Sequence, residues 1–207
     1  MYTCAHCTIL ACREEHPEKL PKNCPMRNSG LMDTALATYA LPENRDFYIT
    51  ASELEALGYC QWPRIKETIV LCQKMGYTRI GLAFCFGLRK EAKIVDELFR
   101  RAGLEVVSVI CKTGGADKES VGISPDSKLN PGSFEAMCNP IAQAKLLNEQ
   151  KTQFNVALGL CVGHDSMFYK YSDAYVTTLV TKDRVTGNNP AAALYTAQSY
   201  YKKKFGV

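Results

Sequence analysis

From residue 63 onward the apolar positions recur at two periods in turn. "PRIKETIVLCQKMG" sets Ile65, Ile69 and Cys72 along one helical face, opens on Pro63 and stops at Gly76. That pattern predicts an amphipathic helix with proline at its first position. "TRIGLAFCF" then runs apolar almost without a break, as a buried strand does. "RKEAKIVDELFRRAG" returns to helical spacing and ends at Gly103, and "LEVVSVICK" is a second strand. After a long polar loop come "NPIAQAKLLNEQ" as a helix and "FNVALGLCV" as a third strand. "AYVTTLVTKD" reads as a fourth strand. "NPAAALYTAQSYYKKKF" reads as a last helix, with Asn189 as N-cap, Pro190 at its first position and Lys202, Lys203 and Lys204 at the end that the helix dipole favours.

Apolar strands alternating with helices imply a parallel sheet covered on both faces. The predicted fold is therefore α/β: a three-layer Rossmann-like or flavodoxin-like domain with about four parallel strands. Right-handed crossovers with one reversal favour the strand order 2-1-3-4. The loop from Lys112 to Met137 is longer than a crossover needs, and a loop of that size suits a lid or binding role. Residues 1–30 differ in kind, holding four of the ten cysteines and few large apolar residues. They are expected to form a small cysteine-rich metal knuckle beside an α/β domain over 31–207, because so short a segment needs a staple. Ser52 with Glu55 suggests a capping box before a short helix.

Charge and composition narrow the classes. The net charge of +4 is mild and its cations are dispersed, which argues against a nucleic-acid groove. No apolar run approaches the ~20 residues of a membrane span, and the first residues lack the pattern of a signal peptide. A cytoplasmic protein is expected. In that compartment ten cysteines are not a disulfide framework, which leaves metal binding, thiol chemistry and burial.

Cys4, Cys7, Cys12 and Cys24 have the spacing C-x2-C-x4-C-x11-C. A C-x2-C pair grips one ion from a tight turn, and two later thiolates complete a tetrahedron. Zinc is the usual occupant of such a set. Pro25 after Cys24 keeps an iron–sulfur cluster open, since four thiolates also hold clusters.

Three predicted strands carry a cysteine near their carboxyl ends: Cys85, Cys111 and Cys161. That edge is where open α/β sheets bind ligands. Cys138, just ahead of the third helix, is the least certain companion, because that helix leads into a strand and its start could lie at the opposite edge. Together the four form a candidate second metal or iron–sulfur site. Cys72, on an apolar helix face, illustrates the alternative of simple burial. "GLCVG" has the G-x-C-x-G form of a nucleophile elbow, but the chain has no histidine after His164 to serve as the distant base. Cys161 with His164 nevertheless forms a candidate catalytic pair, with Asp165 to orient it. Lys112, Gly114, Gly115, Lys182, Arg184 and Asn189 complete a cationic, glycine-rich rim suited to a small anionic ligand.

The segments "AFCFGLRKEA", "ICKTGG", "EAMCNPIAQAKLLN" and "LGLCVGHDSMFYKYSDAYVTTLVTKDRVTGNNPAAALY" resemble a cysteine-rich family catalogued as domain of unknown function eighteen-forty-seven. Its members carry a metal-binding label and come largely from anaerobic bacteria and archaea. The resemblance covers nearly the whole chain and implies metal binding, without a reaction. The functional expectation is a metal-binding protein with an N-terminal Cys4 site and a second thiol-rich site at the sheet rim. That second site would do redox or sulfur-related chemistry on a small anionic ligand or with a redox partner. The alternatives are a thiol enzyme using Cys161 with no rim metal, and a non-catalytic zinc module.

Overall fold

The computed structural model describes every residue except Glu15 and Val207. It divides into two compact units, Met1–Leu57 and Gly58–Val207. The first unit opens on four short 3-10 turns, Cys4–His6, Ala11–Arg13, Pro17–Lys19 and Pro25–Arg27. Two helices follow, α1 (Ser29–Tyr39) and α2 (Pro42–Gly58). Asn28 caps α1 by accepting the Leu31 N–H at 3.3 Å, and no residue of α1 is buried. The capping box does not form, because Ser52 lies inside α2, ten residues after Pro42 opens it. Proline pre-sets the first turn of a helix, and the polar run after it hides the helix from a search for apolar periodicity.

The second unit carries α3 (Arg64–Lys74), β1 (Arg79–Phe84), α4 (Arg89–Arg101), β2 (Glu105–Ile110), α5 (Pro140–Glu149), β3 (Phe154–Leu158), α6 (His164–Tyr171), β4 (Val176–Val180) and α7 (Ala191–Tyr195). The four strands form one parallel sheet in the order β2-β1-β3-β4, the order that the crossover rules predict. Side chains alternate between its faces, as the period of a strand requires. A Cβ on Gly81 would lie 2.8 Å from Leu147 of α5 and 2.0 Å from Oδ1 of Asn155. Leu82, the next residue, lines a groove with Ala92 of α4 on the other face. Ala83, Ala144, Leu147, Ala157, Leu160 and Phe168 are all at most 4% exposed and form the core on the α5 side. Each large apolar side chain buried there contributes roughly 2 kcal/mol. Arg64 ties α3 to β4 through the Thr178 carbonyl and the Thr177 hydroxyl, both at 2.8 Å.

The last helix is shorter than its sequence pattern predicts. It spans only Ala191–Tyr195, with Pro190 rather than Asn189 at its N-cap. Thr196 and Ser199 turn their hydroxyls back to the carbonyls of Ala192 and Thr196, which competes with the helical ladder. No residue of the helix is buried, so no packed face propagates it. The Lys202 to Lys204 run accordingly lies in turns, not at a helix end.

Candidate functional site

The sheet register sets the geometry of the rim. Phe84 of β1 stands opposite both Ile110 of β2 and Leu158 of β3, so Cys85, Cys111 and Gly159 leave the sheet side by side. The Cys111 N–H donates to the Phe84 carbonyl at 2.9 Å, and the Cys85 N–H donates to Leu158 at 3.1 Å. The chain after β1 then curls so that the Phe86 N–H donates to the Cys111 sulfur at 3.2 Å. Cys85 and Cys111 are 8% and 3% exposed and pack in one buried cluster.

Cys138 joins them from the far end of the long loop. The Asn139 N–H donates to the Cys111 carbonyl at 2.7 Å, which brings the Cys138 Sγ to 3.9 Å from the Cys111 Sγ. The concern that the α5 start lies at the opposite edge is overturned. A crossover helix runs antiparallel to the strands it joins, so it begins at their carboxyl edge. Cys138 is half-buried there, making it the thiol of the three most open to solvent. Asn139 caps α5 by accepting the Ala142 N–H at 3.0 Å, as its place before Pro140 suggests.

Charge separates the three thiols. Hydrogen bonding to Cys138 and Cys85, with burial, pushes Cys111 up, so it keeps its proton. The hydrogen bond from Cys111 holds Cys85 down at about 5 against the cost of burial, helped by the Gly87 N–H and Lys182. The same partner holds Cys138 down at about 5, with Lys112 and His164 adding to the effect. Cys72 marks the contrast, since burial alone pushes it up to about 12.

Cys161 stands beside this group and is organised differently. Arg184 donates to its sulfur at 3.2 Å. Its carbonyl accepts the N–H groups of His164 and Asp165 at 2.9 and 3.1 Å, which starts α6. The preceding bend needs glycine: Gly159 has φ +64°, and a Cβ there would lie 2.1 Å from Leu88. Cys161 itself has no positive φ, unlike the strained residue of a nucleophile elbow. Asp165 accepts the Gly163 and Ser166 N–H groups at 3.0 and 2.7 Å, so its carboxylate closes the local turn.

The remaining rim residues divide. Lys112 also donates to the Ala136 carbonyl. Gly114 and Gly115 take φ +98° and +59° in the turn after β2, and a Cβ on Gly114 would lie 3.4 Å from the Asn139 amide. The Lys182 Nζ is 3.6 Å from the position of a Cβ on Gly87. Asn189 is exposed, and its carbonyl accepts the Ala192 N–H at 3.1 Å.

Two groups go unnoticed in the sequence. Gln143 is fully buried behind the sulfurs, donating to the carbonyls of Val109 at 2.7 Å and Phe84 at 3.3 Å, while its Oε1 has no partner. Its only signal is an amide on an otherwise apolar helix face. Lys128, with a side chain 2% exposed, meets Asp117 at 2.8 Å and also Glu119. With the Lys118–Glu135 pair it folds the long loop onto itself. The Glu119 N–H first, and then Lys128, hold Asp117 down to about 2.

The N-terminal cysteines are arranged more loosely. Cys4, Cys7 and Cys24 line one cavity of about 220 Å³ together with His6. Cys12 is exposed on the second 3-10 turn and does not line it. The donors are of the right chemistry for zinc or a cluster. However, among the described residues no group of three or more His, Cys, Asp or Glu side chains is disposed to hold a metal ion. Among those residues, no helix is long and apolar enough to cross a membrane.

These features define an α/β protein whose parallel sheet ends in a thiol-lined rim. The chain belongs to the family described as protein of unknown function (DUF1847), whose model matches residues 24–179. The match begins at Cys24, so Cys4, Cys7 and Cys12 lie outside it, as do Lys182 and Arg184. The family span is thus narrower than the sequence resemblance suggests. An uncharacterised protein of Methanocaldococcus jannaschii is 45% identical over 166 residues, covering 80% of this chain and 83% of the relative.

Proposed function

We propose that the sheet rim is a thiol-redox site acting on a small anionic, thiol-reactive ligand. The observation that carries this reading is the convergence of three cysteines from three separate segments: the Cys138 sulfur lies 3.9 Å from that of Cys111, and Cys85 leaves the neighbouring strand beside Cys111 in the same buried cluster. Reading the sheet as Rossmann-like or flavodoxin-like supports it, because ligands of such sheets bind at the carboxyl edge. Cys138, the most open of the three, is the attacking thiolate, and Cys111 is the resolving thiol behind it. Division into an accessible low-pKa sulfur and a buried protonated one suits thiol–disulfide exchange. Lys112, Lys182 and Arg184 supply positive charge for an anionic ligand, with His164 nearby.

A second reading has its own support. Two thiolates on one tetrahedral zinc stand about 3.8 Å apart when Zn–S is about 2.3 Å, close to the Cys111–Cys138 separation of 3.9 Å. In that reading Cys85, Cys111 and Cys138, with Cys161 as a fourth donor, take a metal ion or an iron–sulfur cluster. For the N-terminal set, the cavity shared by Cys4, Cys7 and Cys24 supports zinc or a cluster, with Cys12 closing in on binding.

The test is metal and acid-labile sulfide content of the full chain purified without oxygen, beside the variant with Cys4, Cys7, Cys12 and Cys24 all changed to Ser. A redox-buffer titration accompanies it. The thiol-redox reading expects a metal-free rim and one reversible two-electron couple in both proteins. Iron with sulfide, or zinc, surviving in the variant would establish the second reading instead. A metal-free rim with no couple would leave a non-catalytic module.

A further inference from the structure

We propose that Cys85 is a third redox residue, which draws the disulfide formed at Cys138 inward to a buried Cys85–Cys111 pair. The inference rests on the thiol-redox reading and adds a step to it. Its basis is the central position of Cys111. That sulfur has Cys138 on one side at 3.9 Å and Cys85 on the other, where the register sets the two residues just beyond the paired Phe84 and Ile110. Neighbouring strands run about 4.8 Å apart, within the roughly 4.4–6.8 Å between Cα atoms that a disulfide spans. The Phe86 N–H pins the Cys111 sulfur against the turn that follows Cys85. Exposure falls inward, from half-buried Cys138 to Cys85 at 8% and Cys111 at 3%.

The steps balance with an anionic disulfide, RSSR, as oxidant. The Cys138 thiolate attacks one sulfur of RSSR, forming a mixed disulfide and releasing RS⁻. Cys111 attacks the Cys138 sulfur, forming the Cys111–Cys138 bond. The second RS⁻ departs, and the proton of Cys111 leaves with it as RSH. The Cys85 thiolate then attacks the Cys111 sulfur, forming Cys85–Cys111 and expelling the Cys138 thiolate. Two electrons have passed from the Cys85–Cys111 pair to RSSR, and Cys138 is a free thiolate again. The oxidised protein therefore keeps its reactive thiol at the surface and stores the disulfide beneath it. A reductant must return through Cys138, by the same exchange in reverse.

The experiment treats the reduced full chain with stoichiometric oxidised glutathione, quenches with an alkylating reagent, and maps disulfides by mass spectrometry without reduction. Wild type is expected to carry a Cys85–Cys111 linkage with Cys138 alkylated. Cys85→Ser is expected to stop at Cys111–Cys138, with loss of Cys138 alkylation, and Cys85→Ala checks that the stop reflects the missing sulfur. A wild-type protein that holds only Cys111–Cys138, with Cys138 blocked, would overturn the inward step and leave the thiol-redox reading intact. Absence of any linkage among the three would overturn both. The wild-type map decides the question even if the variants fold poorly.

Discussion

Two sets of four cysteines in this chain invite opposite expectations. Cys4, Cys7, Cys12 and Cys24 are neighbours in sequence and look like a ligand set, yet they sit on separate short turns and only three of them share a cavity. Cys85, Cys111, Cys138 and Cys161 are 26, 27 and 23 residues apart along the chain, yet the fold brings Cys85, Cys111 and Cys138 into one packed cluster, with the Cys138 and Cys111 sulfurs 3.9 Å apart. Parallel topology accounts for the difference. Every strand of such a sheet ends at the same edge and every crossover helix begins there, so distant cysteines are gathered by the fold itself. Short turns have no core to hold their side chains, and a ligand must supply what packing does not.

The largest expected effect breaks the rim at its centre. Cys111→Ala removes the hydrogen bond that holds its neighbours down. The alkylation midpoint of Cys138 should then rise from about 5 into the ordinary thiol range near 8.5, and the two-electron couple should vanish. pH-resolved alkylation with mass spectrometry checks both proteins. An unmoved midpoint would mean that Lys112 and His164 govern Cys138 instead.

Next in size is Gly159→Ala, which forces a Cβ to within 2.1 Å of Leu88 at φ +64°. The expected loss is roughly 3 kcal/mol of stability, read by denaturant unfolding. The exposure of the N-terminal cysteines to maleimide should be unchanged, which sharpens the contrast between the two sets.

A smaller effect concerns the loop that delivers Cys138. Asp117 has a folded pKa below its ordinary value, so its contribution is complete above the unfolded pKa near 3.9 and is lost as pH falls through about 2. Acid-stable protease should begin to cut residues 112–137 within that window. Lys128→Ala should open the same loop to protease at neutral pH. Resistance in both cases would show that the loop is held by something other than its buried lysine.

The smallest effect is expected at the rim when the first set is removed. Serine at positions 4, 7, 12 and 24 should abolish any zinc bound there and leave the Cys138 alkylation profile unchanged. A shifted profile would couple two sets that the account treats as independent.

The sheet was legible in the sequence because its signals are local and repeated. Apolar runs set off by helices that open on proline or stop at glycine mark the four strands, and chirality rules supply their order. The rim cysteines are legible as far as strand ends can be read, which is why position alone groups Cys85, Cys111 and Cys161. Cys138 is the hardest of the four to place from sequence, because a 26-residue loop hides where its far end returns. Gln143 left only an amide on an apolar helix face, since its burial depends on strand carbonyls far along the chain, and Lys128 left no signal because its partners are gathered only when the loop folds on itself. The last helix was overread for the converse reason: Ala191 to Tyr195 look helical locally, but nothing buries a face of the chain beyond them.

The most direct test of the central claim is the pH dependence of thiol modification, residue by residue, in the reduced and metal-free full chain. The account predicts that Cys85 and Cys138 titrate near 5 while Cys111 stays protonated and Cys72 resists modification until the protein unfolds. Rim thiols that all titrate together at about 8.5, like free cysteine, would contradict it.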